Sequence, residues 1–248
     1  MTCWCHIYCG IIYILRYAEN LYNMQEVNMK TITIAGQIID VNVIRLDLCK
    51  KNIYDLAPLQ ELTDIEYLAL EENEIVDLSP LKSLTKLKTL YLYHNKIKDI
   101  KPIEKLTDLT VLSFWDNEIE DITPIQGLTK LTNYGFGVNN ITDITPLQTL
   151  TNSIEVDLEH NNISDVTPLQ TLINTPKIYL SDNKIKDITP LQTLVNLTEL
   201  GLYENQITDV TPLYLLTKLT KLELQRNPLT KSQIDELRCA LPNCEILF

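Results

Sequence analysis

A strict period of 22 residues constrains this chain more than any other feature. Prolines fall at 58, 80, 102, 124, 146, 168, 190 and 212. Asparagines fall at 73, 95, 117, 139, 161, 183, 205 and 227, and aspartates at 55, 77, 99, 121, 143, 165, 187 and 209. Three phased series of eight do not arise by chance. A unit this short cannot bury its apolar face alone, so the chain must be a stack of coils that cover one another.

Thr85 to Leu106, TKLKTLYLYHNKIKDIKPIEKL, shows the unit. Aliphatic residues hold positions 3, 6, 8, 13, 16, 19 and 22, with Asn at 11, Asp at 15 and Pro at 18. On this phasing nine repeats begin at 41, 63, 85, 107, 129, 151, 173, 195 and 217, and the last is incomplete. Buried positions 6 and 8 alternate with exposed 5, 7 and 9, the period of a half-buried strand. One strand per coil, always in one direction, predicts a parallel sheet. At position 11 an Asn amide can donate to neighbouring carbonyls and accept in return, forming a ladder. Position 17 is Thr in five repeats and Ser in one. A hydroxyl directly before proline predicts an N-cap, and Asp at 15 is expected to bond local backbone N–H groups. The eleven residues left in each coil are too few for a long helix and two bends, so mostly 3₁₀ turns are expected.

The pattern L-x-x-L-x-L-x-x-N-x-I-x-D-I-x-P-L-x-x-L resembles the 22-residue leucine-rich repeats of bacterial internalins and of the protein phosphatase 1 regulatory subunit. The resemblance covers about 41–227. It implies an α/β solenoid, a curved right-handed superhelix with a parallel sheet on its concave side and 3₁₀ turns on its convex side. It also implies a partner held on the concave face. The tail NPLTKSQIDELRCALPNCEILF resembles the C-terminal cap of bacterial proteins of this kind.

Both ends of a solenoid need covers. Residues 29–40 form the expected N-terminal strand cap, with Thr31 to Asp40 as its strand segment, and 228–248 the C-terminal helical cap. In that cap, Ile234, Leu237 and Leu241 on a helix from Ser232 to Leu241 face the last coil, and Cys239 and Cys244 pack beneath it. Residues 1–28 read as a poorly ordered leader or an over-extended start. Ile11 to Leu15 is too short an apolar run to span a bilayer, and no Lys or Arg precedes Arg16 as a signal peptide requires. Nothing resembling a cell-wall anchor follows the last coil. The expected location is the cytoplasm, with secretion or surface display as the alternative.

Two repeats depart from the core pattern. Ser153 and Thr175 stand at position 3, where leucine belongs, and Pro176 follows. Losing a core leucine costs about 2–5 kcal/mol, so looser packing or a kink is expected over about 150–178.

Composition narrows the function. The net charge of −12 repels phosphate backbones, excludes nucleic acid and favours a partner with a basic segment. Six cysteines, at 3, 5, 9, 49, 239 and 244, ignore the period and so form no disulfide framework. Cys3, Cys5, His6 and Cys9 match no familiar zinc spacing. The histidines are His6, His94 and His160. The latter two are three coils apart, roughly 14 Å, too far to act together. No nucleophile–base pair, phosphate loop or metal spacing is present, so no catalysis, cofactor or metal is expected, and the chain is expected to be monomeric.

The repeated residues explain the fold, so function is sought among those that vary. Positions 5, 7, 9 and 10 face the concave side. Repeats two to four supply Tyr67, Tyr91, Tyr93, His94, Trp115 and Asp116. Tyr93 and Trp115 share a position in adjacent coils and are expected to stand roughly 5 Å apart. Grouped exposed aromatics are binding anchors. Repeat five offers a low floor, Gly135 and Gly137, beside Trp115. Repeat six adds Glu155, Asp157 and Glu159, and later coils add Tyr179 and Tyr203. Eleven acids against five bases over these positions make a concave net of −6.

Overall fold

The computed structural model describes residues 30–248. The leader and the cysteine–histidine group near the start lie outside them. The repeat positions become an α/β solenoid. Each coil contributes a three-residue strand: β3 (Arg45–Asp47), β4 (Tyr67–Ala69), β5 (Thr89–Tyr91), β6 (Val111–Ser113) and β7 (Asn133–Gly135). The row continues with β8 (Glu155–Asp157), β9 (Lys177–Tyr179), β10 (Glu199–Gly201), β11 (Lys221–Glu223) and β12 (Glu245–Leu247). These ten strands form one parallel sheet in sequence order. The register advances one repeat per strand, Leu46 opposite Leu68 and Leu68 opposite Leu90.

The core runs the length of the stack as one continuous cluster of Leu and Ile. Position 11 lines it with amides. Asn95 Nδ2 donates to the Leu70, Leu92 and Tyr93 carbonyls at 3.1, 3.0 and 3.3 Å, and its Oδ1 accepts from Ile75 N at 3.0 Å. The pattern recurs from Asn73 to Asn205 with every Asn buried. An unpaired buried amide is costly, so this ladder ties each coil to the one before it. Position 10 is left-handed in all nine repeats, before the Asn in eight of them and before Lys51 in the first, with φ between 51° and 58°.

Eight 3₁₀ turns cover the other side, each with proline near its start, from Ala57–Glu61 to Thr211–Leu213. The hydroxyl cap expected at position 17 does not form. The capping residue is the apolar position 16, such as Ile122 before Thr123–Gly127. The Asp at position 15 satisfies the turn instead: Asp121 Oδ1 accepts from Thr123 N at 2.7 Å. The amide that a position-17 hydroxyl would cap is already used: Ile125 N donates to the Ile122 carbonyl at 3.0 Å.

The ends differ in kind. The N-terminal cover is an antiparallel hairpin, β1 (Thr31–Ile34) and β2 (Gln37–Asp40), turned at Ala35 and Gly36 with φ 48° and 74°. Such positive angles suit the primed hairpin turns. The hairpin forms its own sheet and packs against the turn Ala57–Glu61. At the other end helix α1 (Lys231–Ala240) starts at a Thr230/Gln233 capping box and buries Ile234 and Leu237. The chain then adds β12 to the main sheet. Cys244 is partly buried against the core, whereas Cys239 points to solvent, so only one of the two cysteines packs the cap.

No kink appears at repeats six and seven. β7, β8, β9 and β10 keep their register throughout. Tyr134 stands at position 6, between Leu112 and Val156 of the adjacent strands. Its buried hydroxyl meets Ser153 Oγ at 2.9 Å, and Ser153 Oγ also reaches Leu150 O at 2.5 Å. The larger ring fills the volume the leucine left. At Thr175 the defect is polar instead: the residue is fully buried and its hydroxyl has no partner.

Candidate functional site on the concave face

Alternation along each strand puts positions 5, 7 and 9 on the concave face, and the left-handed position 10 ends each row. In repeats one to four the aromatic residues fall into two groups. Tyr67 and Tyr91 meet edge to face at 5.9 Å, and the Arg45 guanidinium lies 4.0 Å over the Tyr67 ring. Tyr93 packs edge-on against His94 at 5.4 Å, and His94 against Trp115 at 5.2 Å. The relay passes through His94, in place of direct stacking of Tyr93 on Trp115.

Trp115 is half-buried because the next coil has no side chain beneath it. A Cβ on Gly137 would collide with Trp115 Cδ1, would lie 2.6 Å from its Nε1, and would lie 3.1 Å from Asp157 Oδ1. The indole of repeat four and the carboxylate of repeat six therefore converge on one glycine in repeat five. Val138 follows at φ 52°. That conformation is strained for a β-branched residue, and it keeps a small apolar group beside the seat.

Charge pairing reshapes the acidic stripe. Position 10 pairs coil to coil: Lys50 with Glu72 at 2.9 Å, His94 with Asp116, His160 with Asp182 at 2.5 Å, and Arg226 with Glu204 at 2.9 Å. Glu199 accepts from Tyr179 Oη at 2.7 Å and pairs with Lys177 at 2.9 Å. These two donors hold its pKa below the usual carboxylate range. Glu223 pairs with Lys221 at 2.6 Å, and the Arg226 guanidinium also lies 5.3 Å over the Tyr203 ring. Glu155, Asp157 and Glu159 have no cationic partner among the described residues. Burial pushes Asp157 up to about 6, against a backbone hydrogen bond from Glu159 N at 3.1 Å that favours its charged form.

Sequence order alone hides three features of this face. Arg45 occupies one side of Tyr67, and lysine, arginine and histidine side chains pair with six of the eleven acids of the stripe. Ser181, 5% exposed, has a hydroxyl without a partner near Gly201, where an added Cβ would stand 3.0 Å from Ser181 Oγ and 3.5 Å from Glu159 Oε1. Burial first, then Asp47 and Glu71, push the Cys49 thiol up to about 12, which disfavours its thiolate.

A family model described as leucine-rich repeats (two copies) matches residues 85–127 and 177–215. The structure resembles that of internalin C2 (inlC2) from Listeria monocytogenes, with 34% identity over 80% of this chain and 87% of that one, TM-score 0.72. It also resembles an internalin (inlF) from the same organism, with 28% identity over 86% of this chain and 69% of that one, TM-score 0.71. A third similar structure is the repeat ectodomain of the plant receptor kinase GASSHO1/SCHENGEN3 from Arabidopsis thaliana, solved in complex with Casparian strip integrity factor 2. It shows 25% identity over 71% of this chain and 23% of that one, TM-score 0.62. A search of curated proteins found no match.

The fold and this face define a leucine-rich-repeat protein, a class that generally mediates protein–protein interaction and is typically non-catalytic. Within that class the chain belongs to the internalin family.

Proposed function

We propose that the concave face binds a partner protein through a basic segment that carries an apolar or arginine anchor. The reading rests chiefly on one observation: Trp115 and Asp157 converge on Gly137, beside carboxylates without cations of their own. An aromatic wall, a side-chain-free floor and a partly buried acid suit a side chain that is apolar along its stem and cationic at its tip. Tyr91, Tyr93 and His94 extend the apolar side, and Glu155 and Glu159 the charged side. The module works as a monomer and performs no chemistry. Affinity capture with wild type and Trp115→Ala tests this; a partner retained equally by both removes the seat from the account.

Two settings suit such a module. In one it is a cytoplasmic regulatory or adaptor subunit, of which a phosphatase regulator is one version. In the other it is a surface or secreted protein that binds a host receptor, favoured by the 34% identity with internalin C2. No helix among the described residues is long and apolar enough to cross a membrane. Localising a tagged full chain by fractionation separates the two: a wholly cytosolic signal removes the second, and a surface or medium signal removes the first.

A further inference from the structure

The convex side carries its own irregularity, independent of the concave reading. In four coils a hydroxyl at position 21 donates to the position-20 carbonyl of the coil before it. Ser83, Thr149, Thr171 and Thr193 reach Gln60, Gln126, Gln148 and Gln170 carbonyls at 3.3, 2.8, 2.9 and 3.3 Å. Repeats three and four have Lys105 and Gly127 at this position, so two successive bridges cannot form. Repeat eight has Leu215 there, but its neighbour, repeat seven, keeps its bridge. The 3₁₀ turn of repeat three is also short, Lys101–Ile103.

Grooves open where the bridges are missing. One, of about 950 Å³, lies between the turns of repeats three and four; Lys98, Lys101 and Lys105 line it on one side, Thr123 and Gly127 on the other. A second, of about 310 Å³, lies between repeats two and three and adds Lys82. The larger volume lies within the range of ligand clefts. Lys82, Lys101 and Lys105 have no carboxylate partner among the described residues, while Lys86, Lys96 and Lys130 on nearby coils are each paired. A cluster of unpaired lysines is notable in a chain of net charge −12.

We propose that this convex groove is a second binding site, and that it takes an acidic peptide segment of a protein partner. Lys101 and Lys105 in this groove, joined by Lys82 in the adjoining one, are unpaired ammonium groups that call for an anion, whereas Lys98 is paired with Glu118 at 3.1 Å. Asp99, Glu104 and Asp121 on the same walls would repel a uniformly charged polyanion. Asp99 and Asp121 are each committed to a turn amide, at 2.8 and 2.7 Å. Spaced carboxylates joined by a hydrogen-bonding backbone fit this mixed lining, with the Thr and Gln side chains there serving the peptide amides. The molecule then has two faces of opposite preference, the concave one for a basic segment and this one for an acidic segment.

The probe is a fluorescein-labelled peptide of Glu-Ser-Gly repeats, with a Gln-Ser-Gly peptide as its control, titrated by anisotropy with the full chain. Wild type binds the Glu peptide more tightly, and added salt weakens it. Lys101→Glu with Lys105→Glu loses about tenfold in affinity. Lys105→Thr with Gly127→Thr restores both hydroxyl bridges and closes the groove. An added Cβ at Gly127 meets nothing within 4 Å, so this variant keeps its thermal midpoint while losing the peptide. Equal binding of the two peptides, or Glu-peptide binding retained by both variants, overturns the proposal. So does binding lost in Trp115→Ala, which would place the peptide on the concave face.

Discussion

The two halves of the concave face are built from the same strand positions and differ in what holds their side chains. In repeats two to four, shape governs: rings pack edge to face, and Trp115 lies in space that Gly137 leaves open. In repeats seven to nine, charge governs, but Glu199, Glu204 and Glu223 each have a cation within 3 Å. Exposed pairs of this kind contribute roughly 0–1 kcal/mol and present little net charge to a partner. Among the described residues, the three carboxylates of repeat six, where the halves meet, have no cation of their own, and neither do Asp47 and Glu71 at the first coils. Net charge counted along a face therefore overstates its reach; position beside an aromatic seat matters more.

The comparison breaks first at Gly137. Gly137→Val expels the indole, and the partner binds about thirtyfold more weakly, with a red-shifted tryptophan emission as the independent sign that Trp115 has moved. Unchanged affinity with shifted emission would detach the seat from binding. Asp157→Asn comes next and separates function from stability. Its folded pKa, raised from 3.8 to about 6, means the folded state holds the proton more tightly. The contribution of Asp157 to stability is therefore greatest below the unfolded carboxylate pKa and declines as pH rises toward about 6. After discounting for partial exposure, Asp157→Asn raises stability at pH 7 by about 1 kcal/mol and leaves it unchanged at pH 3. The same variant weakens partner binding roughly tenfold at pH 7, and lowering the pH from 7 to 5 weakens wild type in the same direction. Denaturant melts and titrations across pH check both signs.

Smaller effects sharpen the contrast. Glu159→Gln, without a cation of its own, costs about threefold in affinity at low salt. Glu223→Gln, already paired with Lys221, changes affinity by less than about twofold. If the paired residue matters more than the free one, the division of the face is wrong.

Much of this fold is legible in the sequence, because the frame repeats. An Asn at position 11 has one geometry that satisfies its amide in every coil, and eight occurrences fix strand, turn and register together. What is not legible arises between coils. Ser153 and Thr175 look alike as polar intruders, yet Ser153 is answered by the Tyr134 hydroxyl from the preceding coil, and Thr175 has no answering partner. The position-17 hydroxyls resemble caps because proline follows, but the amide two residues on donates to the position-16 carbonyl instead. On the concave face, the low floor at Gly135 and Gly137 is visible in sequence, whereas the indole lying across it depends on the rotamer of Trp115. The convex groove is marked by hydroxyls that are missing, which a search for repeated residues passes over.

The central claim is that a protein partner seats on Trp115 over Gly137. Calorimetric titration of the captured partner into wild type and Trp115→Ala tests it most directly, with matched thermal midpoints to show that both are folded. The account predicts an affinity loss of about 2 kcal/mol or more, roughly thirtyfold, because truncating a central anchor removes both contact and water exclusion. Equal affinity for the two proteins would contradict it.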